Sequence, residues 1–264
     1  MKTLFATIIL TVWCYISSAQ QNFIDSLLTV KNEIENAVSF DENKYSETVN
    51  SLIYCYMKYG DYYNAQQVCQ QGIKKFHSKG IENNLSLRIL YSYAGLIDYN
   101  LKNYTDAMNT FAKVEFMCQE ANFVDDSYII AACNAALICN ELGNYKDMKI
   151  IMDQAVDNFE SKYGSIFKIK DEKYFQILTN YGVANYNVGN NYWAGKCYRY
   201  VINNCKGSFE SNNALPLALY NYSVALIRAG LFGMASKLLK KAQKINTTYA
   251  YNIAQNLNSE IKKC

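Results

Sequence analysis

Apolar residues recur along this chain at the three- and four-residue spacing of an amphipathic helix, and short polar breaks interrupt them at regular intervals. Phe23, Leu27, Val30, Ile34 and Val38 form the first such stripe, over residues 22–38. A polar break at 39–43 follows. The pattern then predicts five helix pairs: 44–59 with 62–78, 83–101 with 104–121, 125–142 with 145–163, 170–188 with 191–206, and 213–229 with 232–245. Ala250, Ile253, Ala254, Leu257 and Ile261 place a last amphipathic stripe over 248–263. The sum is an all-α chain of about twelve helices.

The break inside each pair has a pattern of its own. Gly143-Asn144-Tyr145 stands at the third, with Met148 as the next core position. Equivalent corners occur at Gly60-Asp61-Tyr62, Lys102-Asn103-Tyr104, Gly189-Asn190-Asn191-Tyr192 and Gly230-Leu231-Phe232. Glycine enters a left-handed backbone at little cost, so it can end one helix and let the next begin. The corners are 42, 41, 46 and 41 residues apart, counted from Gly60 through Lys102, Gly143 and Gly189 to Gly230. Seven residues before each stand Ile53, Gly95, Ala136, Gly182 and Ser223, mostly small. Nine residues after stand Cys69, Phe111, Met152, Tyr198 and Leu239, all suited to a core. Several periodic columns in five copies make this a repeat protein.

The Gly-Asn-Tyr corner, with a small residue on the helix before it and an apolar one on the helix after it, resembles the tetratricopeptide repeat. Copies of 41 to 46 residues are longer than the usual 34 of that family and resemble the extended repeats of kinesin light chains and Rap-type regulators. The resemblance implies a right-handed α-solenoid of antiparallel helix pairs, with the first helix of each pair lining a concave groove. It implies five repeats over 44–245, a capping helix within 20–43 and another within 246–264. Such caps cover the apolar faces that end repeats leave bare.

One column then acquires a possible role. Nine residues before each corner stand Ser51, Tyr93, Asn134, Asn180 and Asn221. The resemblance implies that this column faces the groove. An asparagine side chain both donates and accepts, so a row of them can pair with an extended peptide backbone. The same row could instead bond neighbouring helices and stiffen the stack, and both readings stand at this point. Tyr54 in the column at minus six, with Tyr99 and Tyr186 at minus three, would add an aromatic lining. Tyr62, Tyr104 and Tyr145 are expected to pack between helices.

Composition narrows the picture further. Half of the 264 residues are hydrophobic, and the single proline, Pro216, suits long helices. A net charge of +3, from 26 basic and 23 acidic residues, lacks the basic footprint of a nucleic-acid binder. Lys2, an apolar run over 4–16 and the small residues Ser17-Ser18-Ala19 make a signal peptide, with cleavage expected after Ala19. Thirteen apolar residues are short for a membrane anchor, which needs about 20. No other stretch has spanning length, so the mature chain is expected to carry no integral membrane segment. The richness in Asn, Lys, Tyr and Ile is of the kind found in AT-rich bacterial genomes. This would place the exported chain in the periplasm or outside the cell.

Signal cleavage leaves eight cysteines. Cys133 and Cys139 would lie about 9 Å apart along one helix, and Cys197 and Cys205 about 12 Å. Neither pair is close enough for a disulfide, whose Cα atoms lie within about 7 Å. With one histidine (His77) and no Cys-x-x-Cys pair, no metal site is expected. No nucleophile motif or phosphate loop is present, so no catalytic residue and no cofactor are assigned. The expected function is a non-enzymatic scaffold binding a peptide or protein segment in the groove, through Asn134, Asn180, Asn221, Tyr54, Tyr93, Tyr99 and Tyr186. The alternative is a structural subunit of a cell-envelope assembly, joined through its convex face or its ends.

Overall fold

A computed structural model describes residues 21–122, 124–205 and 214–243. Residues 1–19, expected to be a signal peptide, and the closing helix expected over 248–263 lie outside the described residues, as does Cys264. The chain divides into two compact units, one ending at Ala121 and the other starting at Asn122. Among the described residues there is no strand, and no helix is long and apolar enough to cross a membrane.

The first unit holds α1 (21–36), α2 (Glu42–Lys58), α3 (Tyr62–Ser78), α4 (Leu85–Asn100) and α5 (Tyr104–Glu120). The second holds α6 (Asp126–Glu141), α7 (Tyr145–Tyr163), α8 (Phe175–Asn187), α9 (Asn191–Asn204), α10 (Ala214–Arg228) and α11 (Phe232–Gln243). Within each unit the helices pair antiparallel in chain order. The first helices of successive pairs also touch, α2 on α4 and α6 on α8 on α10.

The corners follow directly from backbone chemistry. Gly60, Lys102, Gly143, Gly189 and Gly230 all have positive φ, from 65 to 84°. In each, the N–H of this residue donates to the carbonyl three residues back. The N–H of the next residue donates to the carbonyl five back, as Asn144 does to Cys139 at 2.8 Å and Asn190 to Asn185 at 2.8 Å. This pair of bonds satisfies carbonyls that a helix end otherwise leaves without partners. Lys102 adopts the same conformation with a side chain (φ 65°).

The columns at minus seven and plus nine meet closely in two helix pairs, where a glycine faces a ring. A β-carbon on Gly95 would lie 2.7 Å from the Phe111 ring, and one on Gly182 only 2.5 Å from the Tyr198 ring. Where the first residue is large, at Ile53, the second is the small Cys69; both are buried, as are Ala136 with Met152.

The first unit is closed at its start by α1. Ile24 and Ile34 are its buried apolar residues, and Leu27 and Leu28 pack against the same core. Of the expected stripe Phe23, Leu27, Val30, Ile34 and Val38, the middle three pack on this core and the two ends do not. Phe23 is exposed, and Val38 lies beyond the helix end at residue 36. Lys31 is also buried on this face, paired with Glu35 at 3.1 Å. Glu35 in turn accepts a 2.7 Å hydrogen bond from the hydroxyl of Tyr45, and Tyr45 packs with Phe40 and Phe76.

The second departure is the start of α8, expected at 170 and found at Phe175. Residues 164–174 instead form a connection with two short 3-10 turns, Ile166–Lys168 and Glu172–Tyr174. Gly164 ends α7 with φ 78° and ψ −172°, a region open essentially to glycine alone. The side chains of Ser165 and Asp171 cap the two turns. Ile166 and Ile169 are buried, and the Tyr174 hydroxyl donates to Asp126 at 2.9 Å, anchoring the segment to the start of α6. This insertion accounts for the 46-residue spacing.

The seven described cysteines are thiols, six of them buried. Burial pushes the thiols of Cys69, Cys133 and Cys197 up to about 12, so they stay protonated. The Cys69 thiol lies 3.2 Å from the Leu90 carbonyl, to which it donates.

Candidate functional site

The second unit carries the asparagine row. On α6 the residues Ile130, Asn134 and Leu137 share one side, at helical spacing. Ile130 and Leu137 are exposed, while Asn134 is half-buried. The same register places Gln176, Asn180 and Val183 on α8, and Leu217, Asn221 and Val224 on α10. The three helices pack in that order. The result is a row of half-buried amides bordered on both sides by mainly apolar residues.

The three amides are not equivalent. Asn180 donates to the Cys133 carbonyl of α6 at 3.4 Å, a long bond that ties α8 to α6. Asn134 and Asn221 make no hydrogen bond with any described residue. The stiffening role therefore falls to Asn180, and also to a pair nearer the corner, where Asn187 donates to Asn140 at 2.7 Å. Asn134 and Asn221 keep both donors and acceptor available.

Tyr54 and Tyr93 belong to the first unit and are brought together there. They line one cavity of about 500 Å³ with Phe23, Asn50, Ser51 and Lys58. Tyr54 is exposed and Tyr93 half-buried, and burial raises the Tyr93 phenol above its usual range. The Asn50 side-chain oxygen is buried with no hydrogen-bond partner among the described residues. A buried acceptor without a donor is costly, and an incoming N–H would relieve it. Sequence reading passed over Asn50 because it stands one residue outside the column that held Ser51, and Phe23 because it was assigned to the packed stripe of α1.

Tyr99 and Tyr186 have other surroundings. Tyr99 packs on Tyr104 with ring centroids 5.9 Å apart, inside the first unit. Tyr186 lies in the second unit under the Arg228 guanidinium, 5.6 Å from its ring centre, in a separate cavity near the corners. Of the corner tyrosines expected to pack, Tyr62 and Tyr104 are half-buried, whereas Tyr145 is exposed and lines that same cavity.

His77 holds the end of α3 to its neighbours rather than facing a cavity. One ring nitrogen lies 2.9 Å from Glu82 and the other 3.0 Å from the Tyr91 hydroxyl. Lys113 donates to the same hydroxyl at 2.7 Å. Among the described residues no group of His, Cys, Asp and Glu could hold a metal ion.

No protein-family model and no curated protein matches the sequence. Solved structures do match in fold. BtubC (BKLC) from P. vanneervenii superposes with a TM-score of 0.69 at 16% identity, over 91% of this chain and 92% of that one. A P. anserina protein described by its nearly identical TPR-like repeats gives 0.56 at 12% identity, over 75% and 93%. The fold is that of the tetratricopeptide repeat. NprR in complex with its cognate peptide NprX is also similar, with a TM-score of 0.59 at 16% identity, over 91% of this chain and 65% of that one. The Rap conjugation gene regulator of plasmid pLS20, in complex with a peptide, gives 0.57 at 13% identity, over 95% and 72%. Within this fold the asparagine row lies on the first helices of successive pairs.

Proposed function

We propose that this protein is a non-enzymatic scaffold that binds an extended peptide or protein segment along the asparagine row. The observation that carries the reading is the pair Asn134 and Asn221, half-buried amides with no hydrogen bond to any described residue. Amides in such a position can bond the N–H and C=O of an extended chain regardless of its side chains. The apolar residues on either side, Ile130, Leu137, Val183 and Val224, would take the alternate side chains of that chain. The unpartnered Asn50 acceptor beside Tyr54 and Tyr93 supports an additional backbone contact in the first unit. Two similar folds, NprR and the Rap regulator, were solved with peptides.

The test is capture of peptides from an array by the wild-type chain and by the triple variant Asn134→Ala, Asn180→Ala, Asn221→Ala. The reading expects the folded variant to lose most bound peptides, and unchanged capture contradicts it. The reading also places the protein beyond the cytoplasm, in the periplasm or outside the cell, with residues 1–19 directing export. A mature N-terminus at Gln20, read by mass spectrometry, supports this, and retention of Met1 contradicts it.

A second reading has one observation in its favour. Leu142, Tyr145, Val188, Tyr192, Phe232 and Met234 are exposed at the corners of the second unit. Such a stripe suits lateral contact in a cell-envelope assembly. Crosslinking in cells that maps to these corners and spares the asparagine row favours that reading.

A further inference from the structure

The second unit contains a cavity of about 580 Å³ that the asparagine row does not use. It opens at the corners, beside Gly189, Asn191 and Tyr192 at the start of α9, and reaches Ala225 and Ala229 on and after α10. Four tyrosines line it, Tyr145, Tyr186, Tyr192 and Tyr222, together with two arginines, Arg199 and Arg228. No carboxylate is among its lining residues. Neither arginine forms an ion pair with any described residue.

Both guanidiniums are held by aromatic side chains. Arg199 donates to the Tyr222 hydroxyl at 2.8 Å and lies 5.8 Å from the centre of that ring. Arg228 lies 5.6 Å from the centre of the Tyr186 ring. Arginine stays charged at any physiological pH and presents five donors in a planar fork. The bond to Tyr222 uses one donor of Arg199 and leaves the others. Two guanidinium groups therefore border one cavity that has no carboxylate in its lining.

The floor is shaped to keep this arrangement open. Gly195 is a buried glycine in the interior of α9, where glycine is disfavoured relative to alanine. A β-carbon there would lie 3.3 Å from an Arg199 terminal nitrogen and 3.6 Å from the Tyr222 ring. The glycine thus leaves room for the guanidinium to lie back across the helix. The Asn190 side chain forms no cap bond to the first-turn N–H groups of α9 and bonds Asn185 instead, so the positive end of the helix faces the same corner.

We propose that this cavity binds a ligand with a carboxylate or phosphate head on an aromatic or apolar body. Arg199 and Arg228 bind the head in bidentate fashion, and Tyr145 and Tyr192 cover the body. Planar recognition of carboxylate or phosphate is what the guanidinium fork is suited to. The proposal is independent of the asparagine row, so the triple asparagine variant retains this binding.

The test is calorimetric titration of the full chain with N-acetylphenylalanine, phenyl phosphate, inorganic phosphate and the neutral N-acetylphenylalaninamide. The carboxylate and phosphate probes separate the two possible heads. At least one aromatic anion is expected to bind at one site per chain. The neutral amide and inorganic phosphate are expected to bind at least about tenfold more weakly, since one lacks the charge and the other the body. Arg228→Gln is expected to weaken the aromatic anion by about tenfold or more with an unchanged melting temperature, because Arg228 is exposed at the end of its helix. Arg199→Gln should act likewise. Absence of binding by both aromatic anions overturns the proposal. So does equal binding of the amide, or undiminished binding by folded Arg228→Gln protein.

Discussion

The Tyr198 ring fills the space that a β-carbon on residue 182 would need, approaching to 2.5 Å of it. Gly182 on α8 and Tyr198 on α9 are both buried, so neither can swing away into solvent. Phe111 stands in the same relation to Gly95 in the first unit, at 2.7 Å. Each unit thus carries one helix pair whose close approach depends on a missing side chain.

The first prediction concerns this contact. Alanine is the better helix former by about 1 kcal/mol, yet Gly182→Ala is expected to destabilise the protein by about 1–3 kcal/mol through overpacking. The clash wins because it meets a ring held on all sides. Tyr198→Leu alone leaves a void and also destabilises. The double variant is expected to lose less than the sum of the two single losses. Urea unfolding of all four proteins measures the coupling, and strict additivity contradicts the account.

The second prediction concerns Lys102, the one corner residue of the five that reaches positive φ with a side chain attached. A left-handed residue other than glycine costs about 1–2 kcal/mol. Part of that is offset, since glycine adds freedom to the unfolded chain. Lys102→Gly is expected to stabilise by about 0.5–1 kcal/mol. Gly143→Ala at the equivalent corner is expected to do the opposite. Thermal melts under identical conditions decide both.

The third prediction is a pH dependence. Glu115 on α5 is half-buried, and loss of solvent raises its carboxyl from 4.5 to about 7. The folded state therefore holds this proton to higher pH than the unfolded chain does. The contribution of Glu115 to stability is complete below pH 4.5 and is lost as the pH rises through about 7. The loss is on the order of 2–3 kcal/mol at most. Glu115→Gln is expected to flatten the stability profile across that window. An unchanged slope in the variant rules out this assignment.

Much of the fold is legible in the sequence because the corners have a strict backbone requirement. Four glycines and one lysine at positive φ, each with the same two hydrogen bonds, fix where every helix pair turns. Of the connection 164–174, the break after residue 163 is legible, but its length is not: the helix expected from 170 starts at Phe175, because Ser165 and Asp171 cap two 3-10 turns before it. On α1 the apolar spacing finds Leu27, Val30 and Ile34, but not Ile24 or the buried Lys31, whose burial depends on its pairing with Glu35.

The candidate sites divide in the same way. The asparagine row follows from counting back along one helix, so sequence finds it. Asn50 does not, since its lack of a partner depends on what surrounds it in three dimensions. Arg199 and Arg228 also escape a single-helix count. One stands ten residues after its corner and the other two before the next, on α9 and α10, and only the packing of those helices brings them to one cavity.

The central claim is that the asparagine row holds peptide backbone and not particular side chains. It is tested most directly by measuring the affinity of several array-selected peptides of unrelated sequence for the wild-type chain and for the triple variant Asn134→Ala, Asn180→Ala, Asn221→Ala. The account predicts a loss of about tenfold or more, similar for every peptide, in a variant that remains folded. Affinities that do not change, or a loss confined to one peptide sequence, would contradict it.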